Sequence, residues 1–416
     1  MQVSDSLKRS AEDVGISLSH YDIDGHLIYA PPETLRYFTA LLQPPSKREK
    51  GAFDDVITAF ENEPIHYDLA RLSLSEPVSL NIQLLDEQGK KCVEQTCSSS
   101  PSILLPSLPF GYYQLNLSTA NQKYVVRVLV APRTAYQPPV LQTKKAWGIN
   151  VQLYSLRSQT NWGIGDFGDL AYLIEQGAKK GADFIGINPL HLMYPAVPEW
   201  ASPYSSSSRR WLNFIYLDIA ALPEFKLSRS VQTWFHSTPV QEQITSLREA
   251  KTVAYGEIMQ LKLTALEQLF DFFKRSKSAQ IIARRQDFDA FKKAQGEALL
   301  LQGLFNVLDG IEHEHQQAEE NTIGWLGWRK AWQTLSARER KALLKEHEAQ
   351  VEFFAWLQWA TSQQLSELQA LCRRVGMQLG IYGDLAVNSS RGSADVWSDP
   401  ELYCVNASVG APPDPL

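Results

Sequence analysis

The chain has 416 residues, 44% of them hydrophobic and 21% charged, which is the composition of a soluble globular protein too long for one core and so of two or three domains. A formal net charge of -6 argues against nucleic acid or an anionic membrane as the main partner, and no apolar run is long enough to span a bilayer. The cysteines at 92, 97, 372 and 404 form neither a disulfide framework nor a zinc site.

Met1–Lys8 carries no apolar core of a signal peptide, so a cytoplasmic protein with reduced thiols and no metal is expected. Residues 1–60 read as short helices, one over Ser4–Val14 and one over Pro32–Leu42, the latter opened by Pro and acidic Glu33. A polar loop at 44–51 follows. Over 61–140 the period changes to two. Val78–Leu85 and Tyr113–Ser118 alternate apolar and polar residues, and Tyr124–Val130 reads as a buried strand. Turn signals at Asp86–Gly89, Pro109–Gly111 and Thr119–Gln122 separate them, which predicts a small β-sandwich ending in the linker Pro132–Pro139.

From 141 to 416 strand and helix alternate. Gly148–Tyr154 is strand-like, Asp169–Lys180 is an amphipathic helix ended by Gly181, and Phe184–His191 is a second strand. Residues 219–375 turn helical, with helices expected at Ala254–Ser276, Asp287–Leu308, Ala337–Gln350 and Phe353–Arg374. Met377–Val387 is a third buried strand. The order predicts a parallel α/β sheet carrying a helical insertion.

Gly163, Gly165 and Gly168 match G-x-G-x-x-G between strand and helix. The glycines come well after the strand, Asp166 would stand among phosphates, and the next strand ends at Asn188-Pro189 rather than an acidic residue. A loop needing tight backbone turns is the better reading than a dinucleotide site, and no cofactor is expected. His313, Glu314 and His315 lack metal-ligand spacing and read as solvated surface. The loop Ser202-Pro203-Tyr204-Ser-Ser-Ser-Ser is bracketed by Trp200 and Trp211. It is either a flexible linker or a platform on which Tyr204 stacks against a sugar ring. Asp384, at the C-terminal end of a parallel strand, is either a catalytic-face carboxylate or a cap or surface turn.

Together the stretches Trp147–Ser158, Asn161–Leu170, Asn188-Pro-Leu-His191, Ser202-Pro-Tyr-Ser205, Gly383–Val387 and Gly410-Ala-Pro-Pro-Asp414 resemble the 4-α-glucanotransferases of the amylomaltase type, in their longer bacterial form. The resemblance implies a (β/α)8 barrel of the α-amylase clan and a retaining double-displacement transfer of α-1,4-glucan segments between maltooligosaccharides, in carbohydrate metabolism, without a cofactor. It implies a stacking role for Tyr204, with Ser202 in the same loop. It implies sugar contacts from Asp384, and from Asp414 in a loop over the acceptor side.

The resemblance places the Asp nucleophile in an Arg-x-Asp-His word downstream of Pro-Pro-Asp, and the acid/base Glu later still. No Arg-x-Asp-His occurs in these residues. Both catalytic carboxylates are therefore expected beyond Leu416, the last residue of the chain. The expectation is a partial barrel from a truncated form of a larger enzyme, with no catalytic carboxylate in the chain and no turnover of its own. The alternative from another class is a non-catalytic α-glucan-binding protein using the β-sandwich and the aromatic loop.

Overall fold

The computed structural model describes residues 3–42, 53–72, 79–98, 101–315 and 323–408. The expected loop at 44–51, Asp414 and Leu416 lie outside the described residues. The chain divides into two compact units, Met1–Pro138 and Pro139–Ala411, each considered by itself.

In the first unit, helix α1 (Asp5–Asp13) is capped by Ser4, whose hydroxyl accepts from the Leu7 N–H. Helix α2 (Pro32–Leu42) starts at its proline. Between them, where only helices are expected, stands a hairpin of β1 (Ser19–Tyr21) and β2 (Leu27–Tyr29). Its turn is set by Asp22, whose carboxylate accepts from the Asp24 and His26 N–H groups, and by Gly25 at φ +81°.

Seven further strands follow: β3 (Asp55–Phe60), β4 (Ile65–Asp68), β5 (Ser79–Leu85), β6 (Lys91–Ser98), β7 (Ser102–Leu105), β8 (Gly111–Ser118) and β9 (Lys123–Ala131). One sheet has the order β3-β9-β8-β5-β6, with β3 and β9 parallel and the rest antiparallel; β4 and β7 form the other. Leu80, Ile82 and Leu84, Leu115 and Leu117, and Val126, Val128 and Val130 point inward from the large sheet. They meet Ile65, Tyr67, Ile103 and Leu105 of the small one. This is a sandwich, and each such side chain contributes roughly 1.5–3 kcal/mol by leaving water. Strand β9 is not buried on both faces as expected: Val125, Arg127 and Leu129 alternate outward and stay half-exposed.

The second unit holds β10 (Gly148–Val151), β11 (Phe184–Ile187), β12 (His191–Leu192), β13 (Ser208–Leu212) and β14 (Gly380–Gly383). Its helices are α3 (Pro139–Thr143), α4 (Phe167–Lys179), α5 (Pro223–Leu227), α6 (Arg229–Phe235), α7 (Thr238–Glu249) and α8 (Tyr255–Arg275). They continue with α9 (Ala279–Gln295), α10 (Glu297–His315), α11 (Lys330–Gln333), α12 (Ala337–Glu346), α13 (Glu348–Arg374) and α14 (Ala394–Ser398). The strands β10, β11 and β14 make a parallel sheet in that order, and β12 pairs antiparallel with β13.

Asp166 caps α4, accepting from the Gly168 and Asp169 N–H groups, while Asp169 accepts in return from the Asp166 N–H. Gly181, at φ +84°, ends it. Ile149, Ile185 and Ile381 form one row across the sheet and pack into the helical core, where α4 lies on β11 and α13 on β14. The insertion α5–α13 adds aromatic rings to the same core, with the Phe270 and Trp356 centroids 5.5 Å apart and those of Phe273 and Trp359 5.7 Å apart. The helix expected over Asp287–Leu308 is two, because Gly296 takes φ +63° and breaks it between α9 and α10. Among the described residues, no helix is long and apolar enough to cross a membrane.

Candidate active site

The face of the parallel sheet opposite the isoleucines carries different chemistry. Its strand registers place Asn150, Gly186 and Tyr382 in one row. A Cβ at Gly186 would stand 1.9 Å from the Asn150 amide oxygen, so glycine is what lets that amide lie across the sheet. Phe184, in the adjoining row between Gly148 and Gly380, meets the Tyr382 ring edge-on at 5.8 Å between centroids. The isoleucine face packs on the helices, and the polar and aromatic face is turned away from them.

Beyond the strand ends this face opens into a cleft of about 320 Å³, lined by Asn150, Gln152, Asn188, Tyr204, Tyr382 and Asp384. Asn188 is buried and fastens the rim. Its side-chain Oδ1 accepts from the Leu153 N–H at 2.7 Å, and its side-chain Nδ2 donates to the Pro189 carbonyl and the Tyr216 hydroxyl.

Tyr204 reaches this cleft through a turn in which the Ser205 N–H donates to the Ser202 carbonyl at 3.0 Å, with Pro203 and Tyr204 as the central residues. The Tyr204 hydroxyl donates to Asp384 Oδ2 at 2.9 Å. That carboxylate raises the phenol above its usual range, since ionising it would set two negative charges side by side. Tyr204 and Tyr382 are 53% and 69% exposed, so both rings remain available to a ligand. Ser202 is exposed, and it begins the turn without lining the cleft.

The segment after Asp384 is held from both sides. The Ala386 N–H donates to His191 Nε2 at 3.0 Å, and Arg209 donates to the Ala386 and Val387 carbonyls, each at 2.9 Å. Burial, with the Arg209 charge nearby, lowers the pKa of His191 and keeps the imidazole neutral as the acceptor this bond requires. Asp395 fixes Arg209 in turn, accepting from its backbone N–H and from the Ser208 and Ser389 hydroxyls.

The glycine-rich loop has the backbone role expected for it. Gly163 sits at φ +95° against Leu247, a Cβ at Gly165 would stand 2.0 Å from the Leu153 carbonyl oxygen, and one at Gly168 would stand 2.6 Å from Asp218 Oδ2. His313, Glu314 and His315 are exposed at the end of α10. Asp22, Asp24 and His26 place ligand-type atoms within 4.8 Å of one another on the surface, but two of the Asp22 bonds already belong to its own turn.

The sequence model of the 4-alpha-glucanotransferase family matches residues 151–416. The chain belongs to that family. A 4-alpha-glucanotransferase of Haemophilus influenzae is 66% identical over 416 residues, covering 100% of this chain and 59% of that protein. One of Mycobacterium bovis is 29% identical over 448 residues, covering 99% and 59%. The crystal structure of amylomaltase from Corynebacterium glutamicum matches with a TM-score of 0.72 at 23% identity, covering 99% of this chain and 59% of that one. The chain thus spans about 59% of the length of these relatives. With this fold, the three parallel strands and their helices are the expected part of an α-amylase-clan (β/α)8 barrel, preceded by the sandwich.

Of the residues expected at the site, Tyr204 and Asp384 come together and Ser202 shapes the turn. Asp414 lies outside the described residues, as does Leu416, the position beyond which the catalytic carboxylates are expected. The family match runs to Leu416 while the relatives are longer, which leaves room in them for that pair. Asn150, Gln152 and Tyr382 were missed. The alternation Ile149-Asn150-Val151-Gln152 carried the signal for the first two, because polar residues at every second position of a barrel strand face its interior.

Proposed function

We propose that this chain supplies the glucan-binding face of a 4-α-glucanotransferase, an enzyme that moves α-1,4-linked segments between maltooligosaccharides in the cytoplasm. The observation that carries the reading is the Tyr204–Asp384 hydrogen bond at the mouth of the cleft, in a member of this family. Tyr204 offers a flat face to the C–H side of a pyranose ring. Asp384 offers its carboxylate to sugar hydroxyls, and Asn150 and Gln152 can both donate and accept. An ionised carboxylate accepting from a sugar hydroxyl makes a stronger bond than a neutral acceptor would, which suits a ligand bearing no charge of its own. Asp414 is the acidic residue of the acceptor side in this reading. The chemistry is a retaining double displacement. A carboxylate displaces the leaving sugar while an acid protonates the glycosidic oxygen, and the hydroxyl of an incoming sugar, giving its proton to the conjugate base of that acid, then displaces the carboxylate. All four cysteines are free thiols, which agrees with a reducing compartment.

Calorimetric titration with maltotetraose tests the binding site. Tyr204→Ala and Asp384→Ala should each weaken binding to the intact chain about tenfold or more. Unchanged affinity in both variants, with the folded state retained, refutes the assignment.

A further inference from the structure

We infer that the outer face of the five-stranded sheet is a second carbohydrate-binding surface, one that takes a linear α-glucan. The inner faces of the sandwich are mostly aliphatic, with Tyr67 and Tyr113 among them. The outer face of two interior strands, β8 and β5, is not what strand preferences would select. Asn81 and Asn116 stand mid-strand, where asparagine is disfavoured, beside Gln83 and Gln114. The registers arrange them in rows. One row runs Lys123, Ser118, Asn81, Thr96, and the next Val125, Asn116, Gln83, Glu94.

The amides hold one another in place. Gln114 donates to Asn116 at 2.9 Å, Asn116 donates to Gln83 at 3.5 Å, and Thr96 donates to Asn81 at 2.9 Å. An amide carries two N–H donors and two acceptor positions, and these bonds use no more than two at any one of them. The result is a preorganised array that can both donate and accept. It lines a concavity of about 800 Å³. At the next row the Arg127 guanidinium lies between the rings of Tyr112 and Phe53, 5.4 and 5.3 Å from their centroids, and Tyr112 is 55% exposed.

Charge selects the occupant. Glu94 is paired with Lys91, and the cations Lys123 and Arg127 stand in separate rows, with Arg127 stacked between rings, so the amides sit in a face without a cluster of like charge. A phosphorylated or strongly charged ligand would find no matching cluster. A neutral polyhydroxylated chain finds amides for its hydroxyls, an aromatic edge for its ring faces, and polar groups spaced along each row by the strand separation of about 4.8 Å, close to the span of one pyranose. The choice of α-1,4-glucan among such ligands rests on the function proposed above.

The test is affinity electrophoresis of the intact chain in native gels containing glycogen, with dextran gels as the control. Three variants are compared with the parent: Gln83→Ala with Asn116→Ala on the sheet face, Tyr204→Ala with Asp384→Ala in the cleft, and all four changes together. These side chains lie outside the core, and unchanged circular dichroism spectra confirm that each variant is folded. The cleft variant should still be retarded by glycogen, and the sheet-face variant should lose retardation about tenfold while its maltotetraose titration matches the parent. Equal retardation of the sheet-face variant and the parent overturns the inference, as does a cleft variant that runs freely or equal retardation in dextran. Parental maltotetraose binding by the cleft variant counts against the proposed active site alone, so the two readings fail separately.

Discussion

Tyr204 and Asp384 are 180 residues apart in sequence, and their side chains share a hydrogen bond of 2.9 Å between hydroxyl and carboxylate. The turn begun by Ser202 brings one to the bond and the end of β14 brings the other. A spectrophotometric titration reads this contact directly. The Asp384 carboxylate raises the Tyr204 phenol, so Asp384→Asn should return one tyrosine toward the ordinary value near 10. Tyr204→Phe should remove that titration while preserving most maltotetraose affinity, because the stacking ring stays. If Tyr204→Phe binds as poorly as Tyr204→Ala, the hydroxyl rather than the ring is what the ligand needs.

Gly165 makes a second prediction. A methyl group there would meet the Leu153 carbonyl oxygen at 2.0 Å and the Leu156 Cβ at 2.7 Å. Neither neighbour is the free end of a flexible side chain. Gly165→Ala should therefore destabilise the second unit by about 3 kcal/mol or more, measured by urea unfolding. A cost under about 1 kcal/mol would mean that the loop moves freely and that the glycine is not there for packing.

The glycine positions show how much of the site the sequence carried. The distance from the strand, Asp166 and the strand end at Asn188-Pro189 together favoured a backbone role for Gly163, Gly165 and Gly168 over a phosphate loop. Tyr204 and Asp384 were legible as candidates, and the barrel as a family likeness. What the sequence hid was long-range. Nothing local says that Ala386 will find His191, or that Arg209 will take two carbonyls beyond Asp384. Gly296 was ambiguous in the same way, since a helix tolerates one glycine at about 1 kcal/mol and only packing decides whether the chain bends there. The hairpin β1–β2 was missed because three-residue strands are too short to show a period against the helices flanking them.

Asp309 gives a pH dependence. It is buried on α10, accepts from Trp328 Nε1 at 2.9 Å through Oδ1, and is pushed up by desolvation from 3.8 to about 6. Between those values the folded state binds a proton that the unfolded state has released, so stability falls as pH rises. The contribution is fully present below about pH 4 and lost as pH rises through about 6. It amounts to roughly 3 kcal/mol for a shift of about two pKa values. Asp309→Asn keeps an acceptor for Trp328 and cannot ionise. Relative to that variant, the parent should lose roughly 3 kcal/mol of unfolding free energy between about pH 4 and about pH 8. Parallel profiles for the two proteins would show that Asp309 ionises in the fold as easily as in water.

The last prediction concerns turnover. In the family reading the nucleophile stands in an Arg-x-Asp-His word, and these 416 residues contain none. Asp384 is an unsuitable substitute, because its Oδ2 is engaged by Tyr204 and, among the described residues, no second carboxylate lines the cleft to serve as the acid. The 416 residues alone should bind maltooligosaccharides and release no glucose from maltotriose. Joined to the portion of the Haemophilus relative that lies outside the matched region, they should release glucose and build longer maltooligosaccharides. In that fusion Asp384→Asn should lower kcat/KM by about a hundredfold, as expected when a charged contact to the reacting sugar is lost. Robust glucose release by the 416 residues alone would refute this reading and place the catalytic carboxylates within them. An active fusion indifferent to Asp384→Asn would remove Asp384 from the substrate site.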